Sequence, residues 1–290
     1  MIRFEQNRIY ILITLFCLVV ILLAFLQEIN FFYMFTKYIN DSGYRANFGL
    51  AESSAKALEF TLWSASLYFF NDAIKHSSID ATIIFSTIYF QLLLPIISSL
   101  AGYFFYQKYN SIYKMILYRA GTFRDNVIKS IHIESFKIAL SIFTAYLILL
   151  FFVSISPINN SVIEGSRTFL LDYLGVNFFI HHTLLYFLIE GFFRFFIYPY
   201  ILAFFACSLV LLNLNSKAVY ITPILYYYGL SLLMHSLSFV FGQITIYLNP
   251  TTIMSSGDYT IRSIPLIIGA FLPFYIGMFI TLWKTHHVEI

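Results

Sequence analysis

Six long apolar runs separated by polar stretches dominate the chain. They cover about residues 9–27, 82–106, 136–155, 195–214, 218–241 and 264–283. A helix needs roughly 20 apolar residues to cross the ~30 Å hydrocarbon layer of a bilayer. No water is present there to satisfy backbone amides, so each run must pair its own N–H and C=O groups and reads as a helix. The pattern predicts an all-α, polytopic membrane protein with six transmembrane helices. Pro95, Gly102, Pro199 and Pro223 fall inside the runs. Membrane helices tolerate such residues, which often mark bends. No repeat, low-complexity stretch or flexible linker divides residues 1–290, which read as a single transmembrane domain.

Three further apolar segments are too short or too polar to count as spans. Residues 57–70 read ALEFTLWSASLYFF. Residues 169–194 are apolar but carry Asp172, Glu190 and Arg194. Residues 243–256 contain Asn249-Pro250. All three are expected as interfacial or re-entrant pieces within the outer segments, about 28–81, 156–194 and 242–263. The run from Ile9 is long for a signal-peptide core and no small-x-small site follows it, so it reads as a retained first helix.

Composition agrees with lipid as the solvent. The chain is 60% hydrophobic and 11% charged, against about 25% charged in soluble domains. It lacks the polar residues needed to coat a water-soluble core. Phe (34) and Tyr (23) are frequent, and Tyr suits the membrane interface, where its ring is buried and its hydroxyl stays wet. Cys17 and Cys207 both lie inside apolar runs and read as small hydrophobes.

The positions of the charges give the orientation. With the N-terminus inside, the inner segments hold ten basic and four acidic residues, net +6. The outer segments hold six basic and nine acidic residues, net −3. The positive-inside rule supports this arrangement, with both termini cytoplasmic. Counting residues 57–70 as a span would move the loop at 107–135 outside. That loop carries five basic residues, Lys108, Lys114, Arg119, Arg124 and Lys129, so the six-span topology is preferred.

Residues 107–135 form the only sizeable inner loop. Ile112, Tyr113, Ile116 and Leu117 recur at helical spacing among the basic residues. A short amphipathic helix of this kind lies on an anionic leaflet or seats its apolar face in a groove on a cytoplasmic partner. The plainer alternative is charge that simply holds the loop inside.

A short N-terminal cytoplasmic stretch, six spans and one basic loop between the second and third spans resemble the ABC type-2 permeases, the membrane halves of bacterial ATP-driven exporters. Leu94-Pro95-Ile96-Ile97-Ser98-Ser99-Leu100 resembles the Pro-containing end of the second span in one branch of that family. Ile116-Leu117-Tyr118-Arg119, followed by Lys129, fits the apolar run and spaced basic residues that come next there. Asn249-Pro250 resembles part of the family's outer re-entrant segment. Gln107, Lys108 and Ile112 stand near places where the branch often has acidic residues and a Gly.

The resemblance implies that the inner loop holds a coupling helix seated on a separate ABC ATP-binding subunit. Ile112, Tyr113, Ile116, Leu117, Arg119, Phe123, Arg124 and Lys129 would carry the contact. It implies a dimer with a second copy or a different permease. ATP and Mg would sit on the partner subunit, with no cofactor on this chain. The substrate would be hydrophobic or amphipathic (a peptide, drug or lipid-like molecule) and would move outward. Localisation would be the bacterial plasma membrane, among its lipids. Nothing in the chain points to nucleic acid.

No G-x-x-x-x-G-K-S/T phosphate loop occurs, so ATP hydrolysis is assigned to another polypeptide. Glu190 and Arg194 are four residues apart and share a helix face. An intramembrane ion pair would mark a functional site. The apolar run from Phe195 is long enough to span alone, so both side chains are expected at the outer interface with their heads in water. Their spacing resembles part of the first motif of the intramembrane CAAX-type hydrolases, although Ile189 stands where the first acid belongs. That alternative requires Glu190, Arg194 and His235 to converge. A third reading, a non-transporting membrane sensor or immunity protein, keeps the same layout without an ATPase. His235 is expected to be buried, neutral and bonded to a neighbouring helix. His181-His182 and His286-His287 are adjacent pairs. Adjacent helix residues diverge by about 100°, so they chelate metal poorly.

Overall fold

A computed structural model describes residues 2–28, 31–40, 78–110, 123–156, 170–242, 244–252 and 263–286. Six of its helices are long and apolar enough to cross a membrane: Arg8–Gln27, Ile79–Lys108, Arg124–Ile155, Thr183–Leu212, Ser216–Phe241 and Ile267–His286. They are called the first to sixth spans below. The first, second, fifth and sixth match the apolar runs to within a few residues. The third and fourth each begin about twelve residues earlier than expected. Residues 57–70 lie outside the described residues.

The ends of several spans follow from local chemistry. The second span opens at Ser78, whose Oγ accepts from the Ala81 N–H at 3.4 Å, with Asp80 in the first turn. Both features suit the electropositive start of a helix. The fifth opens at Asn215, whose Oδ1 accepts from the Ala218 N–H at 2.7 Å. Between the fourth and fifth spans the chain reverses through Asn213, at φ 57°. Asn tolerates that left-handed conformation better than most residues. So short a turn makes the two spans antiparallel neighbours.

The fourth span is the centre of the bundle. It packs against the second, third, fifth and sixth spans, while the first span packs against the second and third. Ile201–Leu209 of the fourth span is buried throughout. Close approach to the second span depends on Gly102. A Cβ there would meet the Ala206 carbonyl oxygen at 2.7 Å. The fourth and sixth spans are joined by Thr281 Oγ1 donating to Ser208 Oγ at 3.2 Å.

The fourth span is not a uniform α-helix. Phe193–Ile197 is a π-helical segment between the α-helices Thr183–Phe192 and Tyr198–Leu209. Pro199 supplies the cause. Its ring would collide with the carbonyl four residues back, at Phe195, and widening the turn relieves the contact.

Large apolar side chains cover the outside of the bundle. Leu225 is 64% exposed, Leu232 70% and Phe239 85%, all on the fifth span. Such continuous apolar surface would be costly in water and suits a lipid solvent.

After the fifth span the chain turns back on itself. Ile244–Leu248 is a short helix, and the turn after it is tied to two spans. Tyr198 of the fourth donates to the Pro250 carbonyl at 3.1 Å, and Ser231 of the fifth meets Thr251 Oγ1 at 3.1 Å. Asn249 Oδ1 closes the turn by accepting from the Thr251 N–H and Oγ1 at 3.1 and 2.9 Å. Ser231 lies ten residues before Phe241, about 15 Å back along the helix. The turn is therefore well inside the bundle, and this segment is re-entrant in geometry. A further helix, Phe31–Asn40, follows the first span.

Candidate functional site

The loop expected to carry the coupling residues is shorter than its sequence suggests. Residues 123–135 form the first turns of the third span. Ile112, Tyr113, Ile116, Leu117 and Arg119 lie outside the described residues. Phe123 opens the helix, Arg124 is half-buried and Lys129 is exposed.

Just below that loop lies a buried charge cluster that the sequence reading missed. Glu134 is 1% exposed. Lys108, in the last turn of the second span, approaches its Oε1 at 3.2 Å, and Lys137 approaches the same oxygen at 3.6 Å. Tyr10 of the first span donates its hydroxyl to Oε2. The Lys137 ammonium also stands 5.2 Å from the centre of the Tyr10 ring. One carboxylate thus joins three spans at the end of the bundle that leads into residues 111–122. The neutralisation explains why the third helix continues through a charged stretch. The available signal was the i, i+3 spacing of Glu134 and Lys137. Nearby, His132 meets the Tyr200 hydroxyl and packs against Phe204.

Glu190 and Arg194 are placed differently from the expectation. They do not sit at an exposed interface. Glu190 is 2% exposed and Arg194 4%, with Nη2 and Oε1 2.6 Å apart. Both belong to the long apolar helix Thr183–Leu212, which among the described residues follows the shorter helices Leu171–Leu174 and Val176–His181. Opposite charges one helical turn apart largely cancel, so an apolar-run count ends too early here.

Tyr146 of the third span covers the pair. Its hydroxyl donates to the Phe187 carbonyl at 2.7 Å and its ring stacks on Phe195 at 4.6 Å. The ring occupies the space above Gly191, where a Cβ would come within 2.0 Å of it. Arg194 itself lies in the π segment. A buried charge pair in a widened turn combines two features often found at functional positions in membrane helices. We expect the double variant Glu190→Cys/Arg194→Cys to resist a membrane-impermeant maleimide added from either side. His182→Cys, at an exposed position, should react. Rapid labelling of positions 190 and 194 would return them to a water-facing end.

His235 is exposed rather than buried, edge-on to Phe239 with ring centres 6.1 Å apart. Among the described residues little of the fifth span is buried, and the His235 ring has only Phe239 on its own helix as a ring neighbour. Glu190 and Arg194 face the third span, and His235 does not join them. His181, His182 and His286 are exposed. Cys17 and Cys207 are buried, unpaired thiols on different spans. Among the described residues no group of three metal-ligating side chains forms. An open apolar groove of about 370 Å³ runs between Leu248, Pro265, Ile268, Leu272 and Tyr275, beside the re-entrant turn.

The fold and these sites define the class: an all-α, multi-pass membrane protein. No family model, no curated protein and no solved structure matches the chain.

Proposed function

We propose that this chain is the membrane subunit of an ATP-driven exporter of the ABC type-2 class. It would export a hydrophobic or amphipathic substrate as a dimer, with a second copy or a different permease. The single observation that supports this most is the Glu134 cluster. The helices on both sides of residues 111–122 are joined to each other and to the first span through one carboxylate. A push on the intervening loop would therefore move three spans together, as a transporter driven from a separate ATPase requires. The helices flanking the loop are 30 and 32 residues long, longer than the roughly 20 a bilayer needs. That length suits rigid levers extending beyond the membrane. The apolar groove beside the re-entrant turn suits a greasy substrate.

In this reading the loop faces the cytoplasm of a bacterial cell, as its basic residues favour. ATP and Mg bind the partner. Ile116→Asp or Leu117→Asp should abolish co-purification of a soluble ATPase while leaving the chain folded in detergent. A complex that survives either change would remove the docking assignment.

A further inference from the structure

Among the described residues, two buried polar groups in the middle of the second span have no hydrogen-bond partner. Gln91 is 8% exposed and its Nε2 finds no acceptor. Ser98 is 0% exposed and its Oγ is equally unpaired. Both lie in the central third of Ile79–Lys108, about 15 Å or more from either end of the helix. A serine in a membrane helix usually donates to a carbonyl of the preceding turn, as Ser99 does to Ile96 at 2.8 Å. Ser98 does not. Pro95 adds a third group, because it has no N–H to offer the Gln91 carbonyl four residues back. The next carbonyl, that of Leu92, is taken by the Tyr228 hydroxyl.

These groups share one face of the helix. Successive residues turn by about 100°, so Gln91, Ser98 and Gly102 fall within about 40° of one another. Gly102 is where the second span touches the fourth, at Ala206. Further along, Phe90 meets Phe195 with ring centres 5.5 Å apart. Residue numbers rise together between the two contacts, so the second and fourth spans run parallel. Matching the contacts puts Gln91 level with Phe195 and Ser98 level with Leu202. Both of those side chains are buried and apolar, and neither can pair with an amide or a hydroxyl. The polar section of the seam is therefore bounded by an aromatic contact at one end and a close backbone contact at the other.

We propose that the seam between the second and fourth spans holds internal water, bound by Gln91 Nε2, the Gln91 carbonyl and Ser98 Oγ. Buried water takes about two to four hydrogen bonds from groups that the protein leaves unpaired. Both side chains are neutral, so the site asks for a neutral ligand that donates and accepts rather than for an ion. Gln91 and Ser98 are about 10 Å apart along the axis. One molecule cannot bridge that distance, so the ligand is a short chain of waters. Bonds to water exchange one at a time, which lets the two helices shift against each other without breaking a fixed side-chain contact. The proposal needs only the packing of these two helices, so its failure and that of the transporter reading are separable.

The test is thiol chemistry in the full chain. Ser98→Cys is reconstituted in proteoliposomes and exposed to aminoethyl methanethiosulfonate, a small reagent that crosses bilayers and reacts with thiolates. Thiols ionise in contact with water and stay inert in apolar packing. The thiol at position 98 should be modified about tenfold faster, or more, than that of Ile97→Cys. Ile97 is 3% exposed and points to another side of the helix. Native Cys17 and Cys207, both 0% exposed, are controls in the same molecules and should stay unmodified. Equal rates at positions 97 and 98 overturn the site. Ser98→Ala and Gln91→Leu give an independent reading by thermal unfolding in micelles, and carry the test if the cysteine variants do not fold. Where water completes the hydrogen bonds, removing its anchor should lower the midpoint by about 2 °C or more. Where the groups are dry and unpaired, an apolar replacement raises it. A raised or unchanged midpoint in either variant overturns the proposal.

Discussion

Arg194→Leu should destabilise the folded chain by about 3–5 kcal/mol, because it strands a buried carboxylate. Glu190 is 2% exposed and lies 2.6 Å from the Arg194 guanidinium, so water cannot readily take over as its partner. Glu190→Leu should cost a comparable amount by stranding Arg194. The double variant Glu190→Leu/Arg194→Leu should recover most of the loss, since well-packed apolar residues often replace a buried pair without penalty. Reversible unfolding in mixed micelles, run as a double-mutant cycle, measures all three. Single-variant costs under about 1 kcal/mol would match a solvated surface pair and show that water reaches the site. A double variant that stays stable but loses the proposed export activity would separate a functional role of the pair from its structural one.

Gly102→Ala should cost about 1–3 kcal/mol through overpacking. The added methyl would meet the Ala206 carbonyl oxygen at 2.7 Å and its carbonyl carbon and Cβ at 2.9 Å each. Two of those obstacles belong to a helix backbone, which cannot rotate away as a side chain can. Gly229→Ala is the matched control, because nothing lies within 4 Å of its Cβ position. There the substitution should be neutral or mildly stabilising, since Ala suits a helix better than Gly. Equal losses at the two sites would mean that the second and fourth spans do not approach as closely as described.

The number and kind of elements were legible because a membrane span declares itself through a continuous apolar run, and four of the six runs hold closely at both ends. The two displaced boundaries share a cause. At Glu134 the charge is offset by Lys137, three residues on, and by Lys108, 26 residues away, while the neutral Tyr10 hydroxyl, 124 residues away, donates to its other oxygen. A run count has no access to such distant partners. At Glu190 the partner was visible four residues on, but its depth was not. Depth depended on Tyr146 covering the pair, a contact with another helix. His235 failed for the opposite reason. Polar residues in spans usually face protein, and the sequence cannot show which face of the fifth span the other described helices leave uncovered. The apolar face at Ile112–Leu117 was the clearest motif in the loop, and it lies outside the described residues.

The widened turn at Phe193–Ile197 also bears on how this helix can change over evolutionary time. A π turn holds one residue more than the α-helical ladder it interrupts. Adding or removing a residue within an ordinary helix rotates everything beyond it by about 100° and dislodges every downstream contact. Within the wide turn, the loss of a residue can be absorbed by tightening to α geometry, leaving the packing of Thr183–Phe192 and Tyr198–Leu209 in register. Arg194 therefore stands at a point where the central helix can lose a residue without losing register, so the position of this charge is open to change by deletion as well as by substitution.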